Sequence, residues 1–418
     1  MKTKKIFLVW SVLFLISTLN FTSLYAQWEE CNNGIGVNTP VCFFVDGNNT
    51  YAGTSSGIFV TTDYGDNWTD KNSGFKLRYP PAIWSLAKSD NNIFAGTLLY
   101  GIFLSTDKGE NWVQKSNGLP YIDMGLDTIF PEEVYALMIN NNYIFAGTQN
   151  GVYLSTDNGD NWIFKNNGLP QFDTNKREVF SLAVSGNNIF AGTRYGVYMT
   201  SDNGDNWFFK SKGLENLTFY SFAISGNNIY AATCFGGIFL STNNGNDWVN
   251  IGRKDTCIDE ILIKDKYIFA SGGFYISSDN GINWSTYENG LKDFAIVSLI
   301  LNGDYIFAGD GDYGVYRAKL SDLGITDVKE TNQNNETIIY PNPASSSFNL
   351  KYESPSYSKL QISIFDMLGN EVFNTSEDCN IGMNEKIIDC QSLETGYYIV
   401  RLKQGERVEA KPLVIVRN

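Results

Sequence analysis

Apolar and polar residues alternate along this chain in short runs broken by Gly-Asn and Asn-Gly pairs, most clearly from Val179 to Lys210. In Val179-Phe-Ser-Leu-Ala-Val-Ser185 the period is two, so Leu182 and Val184 share one face while Ser181, Ala183 and Ser185 share the other. Gly186-Asn-Asn then turns the chain into Ile189-Phe-Ala-Gly-Thr193, followed by Gly196-Val-Tyr-Met-Thr200 and, after an Asp-Asn-Gly turn, by Trp207-Phe-Phe-Lys210. The pattern predicts four short antiparallel strands.

The unit recurs. Ala-Gly-Thr or a near variant begins at Ala52, Ala95, Ala146, Ala191, Ala231, Ala270 and Ala308, at intervals of 38 to 51 residues, a period expected of a propeller or solenoid. Small residues recur at the Ser181 position, as Cys42, Ser85, Ala136, Ser221 and Ser298, as crowded innermost strands around a channel require. Glu260 stands at that place in the sixth copy and reads first as register slippage, with a channel carboxylate as the alternative.

The second half of each unit carries Ser/Thr-x-Asp-x-Gly-x-x-Trp. It runs from Thr61 to Trp68, Ser105 to Trp112, Ser155 to Trp162, Thr200 to Trp207 and Ser277 to Trp284, while Ser241 to Trp248 has Asn243 at the acidic position. The carboxylates of Asp63, Asp107, Asp157, Asp202 and Asp279 suit backbone N–H groups of a tight turn, the glycine supplies a positive φ, and the tryptophan returns into the sheets. These are expected to be structural staples, since carboxylates spread around a ring do not converge on one point. The seventh unit ends at Leu320 without its tryptophan. Trp28-Glu-Glu-Cys-Asn-Asn-Gly34 matches the unit ending Trp162-Ile-Phe-Lys-Asn-Asn-Gly168, so the N-terminal stretch is predicted to be the outer strand of the last unit and to close a ring of seven.

The repeated box makes residues 27–320 resemble the Asp-box (BNR) propellers, which include the sortilin luminal domain, sialidases, xyloglucan-degrading hydrolases and the photosystem II assembly factor family. The expected fold is all-β, a seven-bladed β-propeller followed by a small antiparallel β-sandwich. Residues 321–336 read as a polar linker, and Ile339-Tyr-Pro-Asn-Pro343, Leu360 to Gly369, Leu393 to Leu402 and Lys411 to Arg417 alternate like sandwich strands. In that order, at residues 337–418, they look like the type A C-terminal sorting domain of type IX secretion cargo. The resemblance implies recognition by the type IX secretion machinery and an extracellular or outer-surface destination.

The N-terminus agrees with export. Lys2, Lys4 and Lys5 precede an apolar run from Ile6 to Ile16 and a Ser-Leu-Tyr-Ala stretch, fitting a signal peptide over residues 1–26. No comparable apolar run follows, so no transmembrane segment is expected in the mature chain. In an exported chain the six cysteines suggest three local disulfides, Cys31–Cys42, Cys234–Cys257 and Cys379–Cys390. A net charge of −14 disfavours nucleic acid and anionic membrane as partners. The absence of histidine removes Ser-His-Asp and Cys-His catalysis and the commonest metal ligand, and neither metal nor cofactor is expected.

Candidate ligand contacts lie where the repeat varies, in the loops after Ala-Gly-Thr and between units, which share one face of the disc. They are Arg78, Tyr79, Tyr100, Tyr121, Asp123, Lys176, Arg177, Arg194 and Tyr195. The leading expectation is a binding module for a protein or glycan ligand. The alternative is a glycoside hydrolase working through loop carboxylates among Asp123, Asp127, Glu132, Glu133, Asp173, Asp310 and Asp312. Sialidases are six-bladed and need an arginine triad, and xyloglucan hydrolases use acids across two propellers; seven blades and one propeller fit neither. An assembly factor, a third reading, conflicts with the sorting tail.

Overall fold

The computed structural model describes residues 27–417 apart from 124–128, 172–176, 213, 215–216, 293–294, 326–336, 355–356, 367–369 and 405–406. The predicted signal peptide, Lys176, Asp127 and Asp173 lie outside the described residues. The chain divides into two compact units, residues 1–326 and 327–418.

Seven four-stranded antiparallel sheets make up the first unit among the described residues. Blade 4 shows the plan: Val179–Ser185, Asn188–Thr193, Gly196–Thr200 and Phe208–Phe209, hydrogen-bonded in chain order. The first strand of every blade adjoins the first strands of both neighbouring blades, so these strands surround the axis and the ring is closed. Blade 7 combines Ile296–Asn302, Tyr305–Asp310 and Gly314–Lys319 with Glu29–Glu30, whose residues pair with Arg317 and Tyr316. The N-terminal segment is therefore the outer strand of the last blade, as the repeat predicted.

The box tryptophans join blades rather than strands. Each indole N–H donates to a backbone carbonyl of the preceding blade's outer edge: Trp112 to Lys71, Trp162 to Lys115, Trp207 to Lys165 and Trp248 to Lys210, at 2.6–3.0 Å. Trp284 reaches Ile251, Trp28 reaches Tyr287 and Trp68 reaches Cys31, so the bond is made at all seven junctions, closure included. Within the turns that keep the acid, the carboxylate binds the residue four places on: Asn67 donates its backbone N–H to Asp63 Oδ1 at 2.9 Å and its side-chain amide to Oδ2 at 2.8 Å. The Ser181 position is small for a related reason. Ser181 Oγ donates to Phe219 O at 3.1 Å and Ser298 Oγ to Pro40 O at 2.6 Å, so this side chain meets the next blade's innermost backbone.

Four sequence expectations change here. Ile261 pairs with Ala270 as Leu182 pairs with Ala191, so the register of blade 6 holds and Glu260 occupies the Ser181 position without slippage. Of the three disulfides only Cys234–Cys257 is formed, and Cys31, Cys42, Cys379 and Cys390 are free. Cys31 follows the outermost strand of blade 7, its thiol directed at Val315 O, whereas Cys42 sits in the innermost strand of blade 1, directed at Ile83 O. Cys379 precedes and Cys390 follows the strand Gly382–Asp389, whose eight residues separate them by roughly 25 Å at about 3.3 Å per residue. The propeller also continues past Leu320: a 3-10 turn at Leu320–Leu323 buries Leu323 and Ile325 in a cluster with Trp28 and Phe274, so residues 321–325 are not linker.

The second unit is a sandwich of two antiparallel sheets. One runs Ile338–Tyr340, Ser347–Ser354, Gly382–Asp389, and the other Glu371–Cys379, Ser358–Asp366, Gly396–Gln404, Arg407–Ile415. Phe348, Leu350, Ile362, Ile364, Val400 and Leu413 fill the space between them.

Candidate functional site

Strand direction assigns the loops to two faces. The turns between first and second strands share a face with the Asp-x-Gly turns, and the opposite face carries the second-to-third turns and the blade-to-blade connections. The candidate contacts among the described residues belong to that opposite face, but they do not form one cluster. Arg78 and Tyr79 are exposed on the connection from blade 1 to blade 2, the guanidinium 5.4 Å from its neighbour's ring centroid. Tyr100 is half-buried against the core between blades 1 and 2, and its carbonyl accepts from Gln114 Nε2. Tyr121 is exposed in a small hairpin of Tyr121–Asp123 with Ile129–Pro131, which also holds Asp123. Arg177 turns outward, donating to Gln171 Oε1 at 3.1 Å and lying over Phe164 of an outermost strand. Arg194 Nε pairs with Glu178 Oε2 at 2.6 Å, beside the half-buried Tyr195.

The channel mouth on this face carries residues that the period-two pattern concealed. In six of the seven blades the first strand opens with a one-residue bulge, and the bulged residue follows the connection directly, at the rim of the channel. Those residues are Trp84, Tyr135, Phe180 and Tyr220 in blades 2 to 5, with Val297 and Val41 in blades 7 and 1; Asp259 holds the same place in blade 6. The four aromatic rings touch in sequence around the axis: Trp84–Tyr135 at 5.8 Å, Tyr135–Phe180 at 5.1 Å and Phe180–Tyr220 at 5.3 Å between centroids. Such edge and tilted contacts are the favoured geometries for aromatic pairs. All four retain exposed surface, Trp84 the most at 39%. One signal for them existed: an aromatic immediately before the small residue in four consecutive units.

Carboxylates flank the arc. Tyr135 donates its hydroxyl to Glu133 Oε2 at 2.5 Å, and burial together with that bond raises the phenol's pKa. Burial also raises Tyr220, with the Asp259 carboxylate adding to the effect and Arg194 opposing it. Asp259 is itself half-buried, and burial raises its pKa. One step deeper, Glu260 accepts from Ser221 Oγ at 2.8 Å, and burial pushes its carboxyl up to about 7. Its charge also contributes to the raised pKa of Cys42, two blades away. Two other loop acids are enclosed and bind turns. Glu132 accepts from Thr148 Oγ1 and the Asn150 N–H and is pushed up to about 7 by burial; Asp310 accepts the N–H groups of Asp312 and Tyr313.

The tail has a recognisable relative. Residues 338–416 match the secretion system C-terminal sorting domain. This sorting domain marks the chain as cargo for the type IX secretion machinery, destined for the exterior or the outer cell surface. No curated protein matches the chain significantly. Among solved structures, the chain is similar to YCF48 bound to a D1 peptide, with 16% identity, TM-score 0.53, and coverage of 71% of this chain and 98% of that one. It is similar also to the extracellular domain of BT4673 from B. thetaiotaomicron, with 16% identity, TM-score 0.58, and coverage of 84% and 47%. A GH74 xyloglucanase from Xanthomonas campestris gives 13% identity, TM-score 0.55, and coverage of 78% and 59%. The chain thus spans about half the BT4673 domain and under two thirds of the xyloglucanase. At these identities the likeness is one of fold, a β-propeller. Among the described residues no helix is long and apolar enough to cross a membrane.

Proposed function

We propose that this chain is an exported binding module, cut from a leader at residues 1–26 and built on an Asp-box propeller of the BNR and sortilin-like kind, that captures a protein or glycan ligand on the connection face. The observation that carries this reading is the continuous arc of partly exposed rings from Trp84 to Tyr220 at the channel mouth, with the variable connections around it. Large apolar side chains held at the rim by bulges leave surface uncovered that a ligand would bury. Similarity to YCF48 bound to a D1 peptide supports a propeller of this size as a scaffold for peptide capture.

Glycoside hydrolysis is the second reading, and the xyloglucanase likeness is what favours it. It needs two carboxyl groups about 5–9.5 Å apart and both open to substrate. Glu132 and Asp310 are fully buried and committed to turns, which weakens their candidacy. A glycan array and a peptide array probed with the chain from Gln27 onward, run beside a hydrolysis screen, decide between the two. Binding without turnover is expected, and released sugar would overturn the binding-module reading.

A further inference from the structure

The channel mouth is aromatic on one side and carries surplus negative charge. Trp84, Tyr135, Phe180 and Tyr220 form the wall, and Asp259 continues the ring of bulge positions next to Tyr220. The charges of Glu133 and Glu178 act on Tyr135, and those of Asp259, Glu178 and Arg194 on Tyr220, with Arg194 already paired with Glu178. Glu133 is held by the Tyr135 hydroxyl. Asp259 has no cationic partner among the described residues, although it is half-buried. A half-buried carboxylate without a counter-charge is costly, and a cation arriving with the ligand would offset that cost. Ring faces attract the same kind of group, most strongly when it is partly desolvated.

We propose that the mouth binds a basic peptide, seating a lysine ammonium or arginine guanidinium between the aromatic arc and the Asp259 carboxylate. This rests on the binding-face reading above and adds the ligand's chemistry. A neutral sugar would use the rings but leave Asp259 uncompensated, and an acidic peptide would meet three carboxylates.

The test is titration calorimetry of the full chain from Gln27 at pH 8, with acetylated tetralysine and tetraarginine amides as probes and the tetraglutamate peptide as control. The basic peptides are expected to bind and the acidic one not to. Asp259→Asn and Phe180→Ala are each expected to weaken binding about tenfold, the scale of a desolvated cation–π or ion-pair contact. Asp259→Asn is nearly isosteric, so it keeps the test valid should Phe180→Ala unfold. Equal binding of the acidic peptide, no binding of either basic peptide, or parental affinity in Asp259→Asn would overturn the proposal. If Phe180→Ala instead abolishes binding of a neutral oligosaccharide, the face reading stands and the cation reading falls. If neither substitution affects any ligand found on the arrays, both fall.

Discussion

Blade 5 contains a natural exchange at the residue scale. Elsewhere the turn's first acid accepts from an asparagine four residues on, but here Asn243 Nδ2 donates to Asp247 Oδ2 at 2.8 Å while Asn243 Oδ1 accepts the Asp247 N–H at 2.9 Å. The turn needs one amide and one carboxylate, in either order. Asn243→Asp alone places two carboxylates together and should lower thermal stability by about 1–2 kcal/mol, the scale of a lost hydrogen bond plus repulsion. Adding Asp247→Asn should restore it, and a double variant no better than the single one would refute the exchange. The same groups set the acid limit. Bonds from Thr200 and Asn206 hold Asp202 down at about 2, and bonds from the asparagine four places on and the preceding hydroxyl lower Asp63, Asp107 and Asp157. Their stabilising contribution is complete above the unfolded value near 4 and fades as pH falls toward 2. Glu132 and Glu260 act oppositely: raised by burial to about 7, they keep their protons in the folded state between about 4.5 and 7, so stability declines as pH rises through that window. With no histidine to mask this, Tm should peak near pH 4–5, and Glu132→Gln with Glu260→Gln should flatten the neutral side. A parental Tm that is level from pH 5 to 7 would contradict it.

At the scale of elements, the strand Glu29–Glu30 holds the ring shut more through Trp28 than through its two ladder residues. Trp28 is 1% exposed, meets Phe274 edge-on at 4.6 Å and donates to Tyr287 O at 2.8 Å. Behind it, Gly290 has φ +103°, and a Cβ there would lie 2.2 Å from the Trp28 carbonyl oxygen, so the chain can wrap this tryptophan only with glycine. Trp28→Ala should therefore cost about 3–5 kcal/mol, as other buried aromatic truncations do. Glu30→Ala, on the exposed side of the same strand, should cost under about 1 kcal/mol. Denaturant unfolding separates the two, and equal midpoints would remove the closure role from Trp28. This junction was legible in the sequence because Trp28-Glu-Glu-Cys-Asn-Asn-Gly34 copies the other unit endings, and copies of one sequence meet copies of one environment. The aromatic arc was not, because a bulge re-aims Tyr135 and Phe180 without altering the alternation that assigns faces. Disulfide pairing was likewise hidden: nearness in sequence places Cys31 and Cys42 in adjacent blades, yet at opposite edges of their sheets.

On the scale of the whole molecule, the chain is two units with separate cores, and their stabilities should be separable. The propeller closes on itself through its own N-terminal strand, and Leu320, Leu323 and Ile325 finish its core before residue 326. The sandwich fills its interior from residues beyond 337 alone, with Ala344, Phe348 and Leu350 facing Val400, Leu402 and Leu413. Among the described residues, each of these two clusters draws its side chains from one unit. A chain ending at Thr326 should therefore unfold at the same denaturant midpoint as the propeller transition of the full protein. It should nevertheless stay inside the cell envelope, because the segment that matches the sorting domain is what the type IX machinery reads. Fractionating cells that express the truncated and full chains, beside denaturant unfolding of each, measures both outcomes. A shifted propeller midpoint would show that the sandwich contributes to the propeller's stability, and a truncated chain found at the surface would show that the address lies elsewhere.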